Sequence, residues 1–366
     1  MPIFMDRHDV SEMVTAEKVA ELHQQDLKIQ HHYGCRGFTY WFDDKRKTAF
    51  CLIEAPDMAA IQRMHDAAHG QVPHSIIEVE ASIVESFLGR IEDPEKAQNT
   101  ALNIINDPAF RIIMVIALKQ LPLVKNDPAQ YKPALKKYND GITSLLSRYD
   151  GGIVKQTENY FLVSFKSVSN AVHAAFDIRL LFNDFKKEVK NKDVRLSIGV
   201  NAGVPVTEKS SIFEDTIKLA ERMCKVIKGD IVVSSEIREL YDNENSNPIN
   251  DGERICCLTQ VDEKFLTQLM DYTENSWNDT NLKVDDFSKP VGYSKSQLYR
   301  KMMSLTGKSL NTFIHEYRLN EALILLNKKV GNISEIAFET GFSSPSYFSK
   351  CFQKKYGQFP SYFLVR

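Results

Sequence analysis

The sequence predicts a multidomain chain: an α+β unit first, an α/β unit in the middle and an all-α unit last. Three observations carry that reading. Residues 1–90 run strand, helix, strand, strand, helix, strand, the order of a ferredoxin-like α+β unit. Residues 108–245 set apolar strand runs between long amphipathic helices. From residue 262 to 366 two helix-turn-helix patterns follow one another. A length of 366 residues has room for two to three such units.

In the first unit, residues 3–7 read as a strand and residues 15–33 as a helix. Residues 36–42 and 48–54 form a hairpin around Asp43-Asp44-Lys45-Arg46. Pro56 stands where a second helix starts, a place its fixed φ suits. Gly70 ends that helix, and residues 76–79 are the last strand.

Histidine is concentrated here. Seven of the nine, His8, His23, His31, His32, His65, His69 and His74, precede residue 75. His65 and His69 lie four apart on a helix, so both imidazoles share a face and suit chelation of one ion. Met5-Asp6-Arg7-His8-Asp9 adds a third histidine and two carboxylates at a strand end, and Cys35 and Cys51 are soft donors on or beside the hairpin. Such mixed donors fit nickel, zinc, cobalt or copper better than magnesium or calcium. The structural alternative stays open: His31, His32 and His69 stand near helix C-termini, where histidine caps free carbonyls, and both cysteines suit a buried core.

In the middle unit, residues 112–118 are an apolar strand and residues 129–149 a helix. Gly151-Gly152 turns into a hairpin over residues 153–165. A long helix over residues 168–189 turns Ala171, Ala174, Ala175, Ile178 and Leu181 inward. A strand at 195–202, a helix at 215–225 and a short strand at 231–233 complete it. The polar stretch 92–107 reads as a linker, and residues 241–253 as a loop leaving the unit.

In the last unit, spanning residues 262–366, a short helix ends near Pro290. Val291-Gly292-Tyr293-Ser294 turns into a second helix capped by Ser294. Leu298, Met302 and Leu305 face its core; Lys295, Ser296, Tyr299, Arg300 and Met303 face out. The pattern repeats. A helix over 333–339 is followed by the turn Thr340-Gly341-Phe342-Ser343 and a helix opened by Ser344. There Phe348, Cys351 and Phe352 point in, and Ser346, Tyr347, Lys350 and Lys354 point out. A helix over 310–326 joins the two and is long enough to set both readers about one DNA turn apart. An outer face of basic and hydrogen-bonding side chains behind a tight turn is what a major-groove reader needs.

Charge agrees. Residues 294–366 hold eleven Lys/Arg against four Asp/Glu, a surplus of seven; with a chain total of −2, residues 1–293 carry −9. A basic end on an acidic body places a phosphate-binding surface there, and the tandem helix-turn-helix pattern makes double-stranded DNA the expected partner. At 43% hydrophobic and 26% charged, the composition is that of a soluble globular protein. Neither an apolar run of membrane length nor a signal-peptide pattern is present, so a cytoplasmic protein with no membrane partner is expected. Six scattered cysteines are too few for a disulfide scaffold.

Three resemblances sharpen these expectations. Gly292-Tyr293-Ser294-Lys295-Ser296-Gln297-Leu298-Tyr299-Arg300-Lys301, Phe313-Ile314-x-x-Tyr317-Arg318-Leu319-x-x-Ala322 and Ile336-Ala337-x-x-x-Gly341-Phe342-Ser343-Ser344-x-Ser346-Tyr347-Phe348 resemble the AraC/XylS family of transcription regulators. The likeness implies that Ser296, Tyr299 and Arg300 read bases in one groove, and that Ser346 and Lys350 stand in the next. Met1-Pro2-x-x-Met5-Asp6-Arg7-His8, Gly37-x-Thr39-Tyr40-Trp41, Ala49-Phe50-Cys51-Leu52-Ile53-Glu54-Ala55-Pro56 and His65-x-x-x-His69-Gly70 resemble a family of small dimeric ferredoxin-like proteins named for a nickel-binding member. That implies a divalent transition metal, nickel first; the helical spacing and the strand end, rather than the resemblance, put His8, His65 and His69 first as its ligands.

Asp150-Gly151-Gly152-x-x-Lys155, Arg195-Leu196-Ser197-Ile198-Gly199-Val200-x-Ala202-Gly203 and Asp215-x-x-x-Leu219-Ala220-x-Arg222 resemble the catalytic domain of class III nucleotide cyclases, with its ferredoxin-like core. Its chemistry is missing. Two aspartates should hold two metal ions; Leu118 stands at the first position and Glu158-Asn159-Tyr160 at the second. Lys218 replaces the ribose-orienting asparagine, while Arg222 keeps the transition-state arginine position. The expectation is a non-enzymatic, homodimeric, ligand- or metal-responsive transcription regulator without a catalytic cofactor. A divergent cyclase fused to a DNA reader, and a metal-binding protein with a vestigial reader, are the alternatives.

Overall fold

The computed structural model describes residues 1–94, 102–119, 128–190, 194–246 and 255–364. The chain opens with strand β1 (Ile3–Asp9) and helix α1 (Ala16–Ile29), which tightens into a 3-10 turn over Gln30–Tyr33. The single helix expected over residues 15–33 therefore breaks at Gln30, and Gly34 closes it in the left-handed region. Strands β2 (Arg36–Asp43) and β3 (Thr48–Glu54) form the expected hairpin. Helix α2 (Met58–His69) follows, capped by Asp57, whose carboxylate accepts from the Ala60 amide. Pro56 thus stands two residues before the helix rather than in its first turn. Strand β4 (Ser75–Val79) completes an antiparallel sheet in the order β2-β3-β1-β4, the ferredoxin-like arrangement the element order predicts.

Strand alternation gives this sheet two buried faces. Phe4, Tyr40, Phe42 and Ile53 pack with Val19, Ala20, Ile61 and Met64 of α1 and α2. Met5, Trp41, Phe50, Leu52 and Ile77 face away from those helices, into a core shared with the middle of the chain. Helix α3 (Ala81–Leu88), which sequence periodicity did not reveal, supplies Val84, Phe87 and Leu88 to that shared core. Buried Arg111 then caps it: Nε donates to Phe87 O at 3.1 Å and Nη2 to Leu88 O at 3.0 Å. The stretch expected as a free linker is docked instead, since Tyr40 Oη donates to Asn103 O at 2.9 Å and accepts from Ile105 N at 3.0 Å. Residues 95–101 of that stretch lie outside the described residues.

The middle unit comprises β5 (Arg111–Lys119), α4 (Pro128–Arg148), β6 (Gly152–Thr157), β7 (Tyr160–Phe165), α5 (Val168–Glu188), β8 (Arg195–Gly203), α6 (Glu214–Val226), β9 (Ile231–Val233), α7 (Ser235–Glu244) and β10 (Cys256–Cys257). Its six-stranded sheet runs β10-β9-β8-β5-β7-β6. One face is covered by α4 and α5 through Tyr138, Ile142, Phe161, Val163, Ile178 and Phe182. The other face is covered by α6, which comes so close to β8 that a Cβ on Gly199 would lie 2.3 Å from Ala220 O. Residues 241–244 belong to α7 rather than to the expected exit loop, and 247–254 lie outside the described residues. The sheet also draws its last strand from beyond residue 245.

Helix α8 (Gln260–Ser276) opens on a capping box between Thr259 and Asp262. Helices α9 (Val284–Val291) and α10 (Lys295–Thr306) form the first helix-turn-helix. Helix α11 (Leu310–Asn327) leads to the second, α12 (Ile333–Glu339) and α13 (Pro345–Tyr356), and α14 (Ser361–Leu364) ends the described chain. The first reader shares one core with α8 and with Met223, Val226, Ile227 and Val232 of the middle unit. The second has its own core of Leu319, Ala322, Leu326, Ile336, Phe342, Phe348 and Phe352. Helix α11 gives its first half to one core and its second half to the other. No helix among the described residues is long and apolar enough to cross a membrane.

Candidate metal centre and DNA-reading surface

The histidine-rich unit brings its polar side chains together between β1, α1 and α2. Asp6 and His8 share one face of β1, and His65 and His69 one face of α2. Asp26 comes from the buried stripe of α1, Val19, Ala20, His23 and Asp26. His65 is the hub, 1% exposed: Nε2 lies 2.9 Å from Asp6 Oδ2 and Nδ1 3.1 Å from Asp26 Oδ1. His69 Nε2 lies 3.2 Å from the same Asp26 oxygen and 3.4 Å from His65 Nδ1. His8 Nε2 lies 3.5 Å from Asp6 Oδ2, and the His8 and His65 rings meet edge to face at 4.9 Å.

Two triads suit a metal ion: Asp6, His8 and Cys51, and Asp26, His65 and His69. Within each, one donor atom per residue lies within 4.8 Å of the others. The three expected ligands therefore gather in one cluster but divide between two ligand groups. Cys51 joins as the hairpin reading anticipated, whereas the Cys35 thiol turns to Tyr33 O at 3.7 Å. Of the other histidines, His23 sits 3.5 Å from Asp93, and the His31 and His32 rings lie tilted at 42° with centroids 3.9 Å apart within the 3-10 turn. Asp26 is the member that sequence reasoning missed. A carboxylate on an otherwise buried helical stripe was the signal.

The electrostatics define what the cluster can do. Burial alone would raise the Asp6 carboxyl, but His8 and His65 outweigh it and hold it far below the usual range. Asp26 is likewise lowered against burial by His65 and His69. Burial would depress His65, yet hydrogen bonds to Asp26 and Asp6 hold it up at about 10. Both His65 nitrogens then carry protons at neutral pH, and the imidazolium between Asp6 and Asp26 offsets one of their two charges. A divalent cation entering either triad would take over that role, so binding releases a proton. His69 has its own constraint: Nδ1 accepts from Gln71 N at 3.1 Å, so ligation through Nε2 moves a proton to Nδ1 and gives up that contact. Burial, with Asp6 and Asp26 nearby, pushes the Cys51 thiol well up, so a metal ion must displace its proton as well.

At the other end, the seven expected DNA-facing residues are all exposed: Lys295, Ser296, Tyr299 and Arg300 on α10, and Ser346, Tyr347 and Lys350 on α13. Buried Leu298, Met302 and Leu305 anchor α10; Phe348 and Phe352 anchor α13. Ser294 and Gln297 form a capping box at the start of α10, and Ser344 caps α13 ahead of Pro345. Gly341 holds the second turn at φ +76, and a Cβ there would lie 3.0 Å from Asn278 O. Lys295 also reaches Asp285 across the first turn at 2.7 Å.

The cyclase-like positions are used differently. Leu118 is buried in the sheet core, and Glu158-Asn159 form the turn between β6 and β7. Arg222 is 4% exposed and spends its guanidinium on α8: 2.5 Å to Asp271, 2.7 Å to Glu274 and 3.4 Å to Thr267 O. Lys218 approaches the same two carboxylates at 3.8 and 3.9 Å.

Together these features define a protein with a carboxylate–histidine centre at one end and a double helix-turn-helix surface at the other. Residues 4–79 match the family described as nickel responsive protein SCO4226-like, and residues 287–366 match a helix-turn-helix domain family. The first domain is thus SCO4226-like and the last is an AraC-type helix-turn-helix domain. The chain is similar to histidine kinase P4 of Formosa agariphila, 38% identical over 109 residues, covering 30% of this chain and 8% of the kinase. It is also similar to the transcriptional regulator MtrA of Neisseria gonorrhoeae, 29% identical over 92 residues, or 25% of this chain and 29% of MtrA. It therefore spans less than a third of either relative. Among solved structures, SCO4226 of Streptomyces coelicolor A3(2) is 32% identical over 21% of this chain and 94% of its own, with a TM-score of 0.20.

Proposed function

We propose that this chain is a sequence-specific DNA-binding transcription regulator whose output responds to a divalent transition metal bound in its first domain. The observation that carries the reading is the pair of exposed reader faces, one fixed on a core shared with α8 and the middle unit, the other on a core of its own, joined by one continuous helix, α11. That arrangement suits two neighbouring major grooves, with Ser296, Tyr299 and Arg300 reading one and Ser346, Tyr347 and Lys350 the other. The regulator MtrA among its relatives supports it.

The metal part rests on the two triads around Asp6, Asp26 and His65 and on the family match of residues 4–79. Nickel is the first choice, with zinc, cobalt and copper as alternatives that the same donors accept. The ion acts as a Lewis-acidic tie between β1, α1 and α2. It shifts the DNA reader only as far as it binds one conformation of the chain better than another.

The middle unit serves as scaffold and contact surface rather than catalyst. Its metal-carboxylate positions hold Leu118 and the Glu158-Asn159 turn, and Arg222 is engaged by α8. Formation of a cyclic nucleotide from ATP or GTP would overturn that part. A homodimer belongs to the same reading, and the mass of the chain in solution tests it.

Two measurements test the proposal. Selection from a random duplex library should return a preferred site that Arg300→Ala weakens. Titration calorimetry with Ni²⁺, Zn²⁺, Co²⁺ and Cu²⁺ should show saturable binding that a His65→Ala/His69→Ala variant loses. Failure to enrich any sequence would sink the regulator reading; absent metal binding would sink only the sensor.

A further inference from the structure

Between the first reader and α11 lies a groove of about 190 Å³, lined by Lys283, Val284 and Phe287 at the start of α9 and by Asn311, His315 and Arg318 on α11. It is small for a drug-sized ligand, which needs several hundred Å³. Its polar lining is cationic: Lys283, Arg318 and, when protonated, His315. Arg318 is fixed there by Nε donating to Trp277 O and Nη2 to Asp279 O, both at 2.6 Å.

His315 is the unexplained member. Its Nε2 is buried and has no hydrogen-bond partner among the described residues. An unsatisfied buried ring nitrogen is costly, and such groups in native structures ask for a missing partner. The ring lies 5.2 Å from Phe342 in the second turn and 5.8 Å from Tyr347 on the outer face of α13. His315 thus stands between the groove and the DNA-facing side of α13.

The geometry points to His315 as a proton-linked contact for a phosphate of the DNA backbone where the strand passes between the two readers. This rests on the DNA-reader reading above. Phosphate fits the lining: the Lys283 ammonium, the Arg318 guanidinium, the Asn311 amide and an imidazole that becomes a donor at both nitrogens once protonated. In the free protein, burial pushes His315 below the ordinary imidazole value, with Arg318 and Lys355 adding to the effect and Glu316 opposing it. The charged groups around it are therefore Glu316 and Arg318 on its own helix, Lys355 from α13 and Lys283 from the start of α9. An arriving phosphate reverses the balance, so DNA binding takes up one proton.

The test uses the full chain and a random-sequence 30-base-pair duplex as probe. Wild-type affinity should rise as pH falls from 8 to 6, by up to about tenfold per pH unit for one linked proton. His315→Gln should flatten that dependence and lower the slope of log K against log salt by about one. A second readout follows the imidazole in the wild type and uses the variant only to assign its signal. In ¹⁵N-histidine-labelled wild type, one imidazole, the signal absent from His315→Gln, should titrate at higher pH once duplex is added. Inorganic phosphate without DNA separates the sources: if it alone moves that titration to the same extent, a free anion rather than the DNA backbone occupies the groove, and the assignment to DNA is overturned. Unchanged pH and salt dependence in His315→Gln, with binding intact, removes the contact but leaves the reader standing. A wild type that binds no duplex removes both.

Discussion

Arg222 on α6 donates to Asp271 on α8 at 2.5 Å, so a residue at a transition-state position in the cyclase-like pattern here ties the middle unit to the DNA-reading end. Glu274 and Lys218 complete the cluster, and Lys225, one turn along α6, reaches Glu321 of α11 at 3.6 Å and lies over the Tyr317 ring. The apolar core beneath, with Met223, Val226, Phe265 and Leu269 in one cluster, extends this joint beyond the ion pairs. Arg222→Ala should therefore lower stability by about 1–3 kcal/mol, the range for charged hydrogen bonds lost from a partly buried site. Urea unfolding followed by circular dichroism measures it. No loss would mean the carboxylates of α8 hold Arg222 without stabilising the joint.

Asp26 should matter to metal binding as much as the histidines do. Its Oδ1 is 3.1 Å from His65 Nδ1 and 3.2 Å from His69 Nε2, so it is either a ligand or the group that orients one. Asp26→Asn should weaken binding of the preferred metal by at least about tenfold in calorimetry. Affinity equal to wild type would assign the site to the Asp6, His8 and Cys51 triad instead.

The fold was more legible than this site, for a physical reason. Strand alternation and helical stripes are local patterns, and they placed β3 and β9 to the residue and most other elements to within a few. Helix α3 escaped because its apolar residues serve a core shared with another unit rather than a face of its own. Helix α8 had no sequence reading of its own within the unit expected over residues 262–366, and it packs on the middle unit as well as on the first reader. His65 and His69 could be paired by spacing on one helix. Asp26 and Asp6 stand 39 and 59 residues from His65, and only the packing of α1 and β1 against α2 brings them together.

Metal-free protein should lose stability on both sides of neutrality, with the two causes separable. His65 is raised to about 10, so its contribution is complete below its unfolded value near 6.5 and disappears as pH climbs through about 10. Asp6 and Asp26 are lowered, so theirs is present above about pH 4 and disappears on acidification. In chelator-treated protein, His65→Gln should cost on the order of 3 kcal/mol near pH 6, and that difference should shrink steadily from pH 7 to 10. Thermal melts across that range measure it. A difference independent of pH would mean that His65 is neutral between the two carboxylates.

The two readers should respond differently to loss of their anchors. Phe348 is fully buried in the small core of the second reader, where it meets Phe342 at 5.1 Å and Phe352 at 5.6 Å. That core shares no residue with the middle unit, whereas Leu298 of the first reader sits in the core built on α8 and α6. Phe348→Ala should cost about 3–5 kcal/mol, more than so small a module can lose and stay folded alone. The second reader should then melt by itself, with the main transition of the chain kept and DNA binding reduced to the contacts of α10. Leu298→Ala, at about 2–5 kcal/mol, should instead lower the main transition. Calorimetric scans of both variants distinguish the cases. A single transition lowered equally by either substitution would show that α11 carries cooperativity across both readers, and that the two separate cores unfold as one.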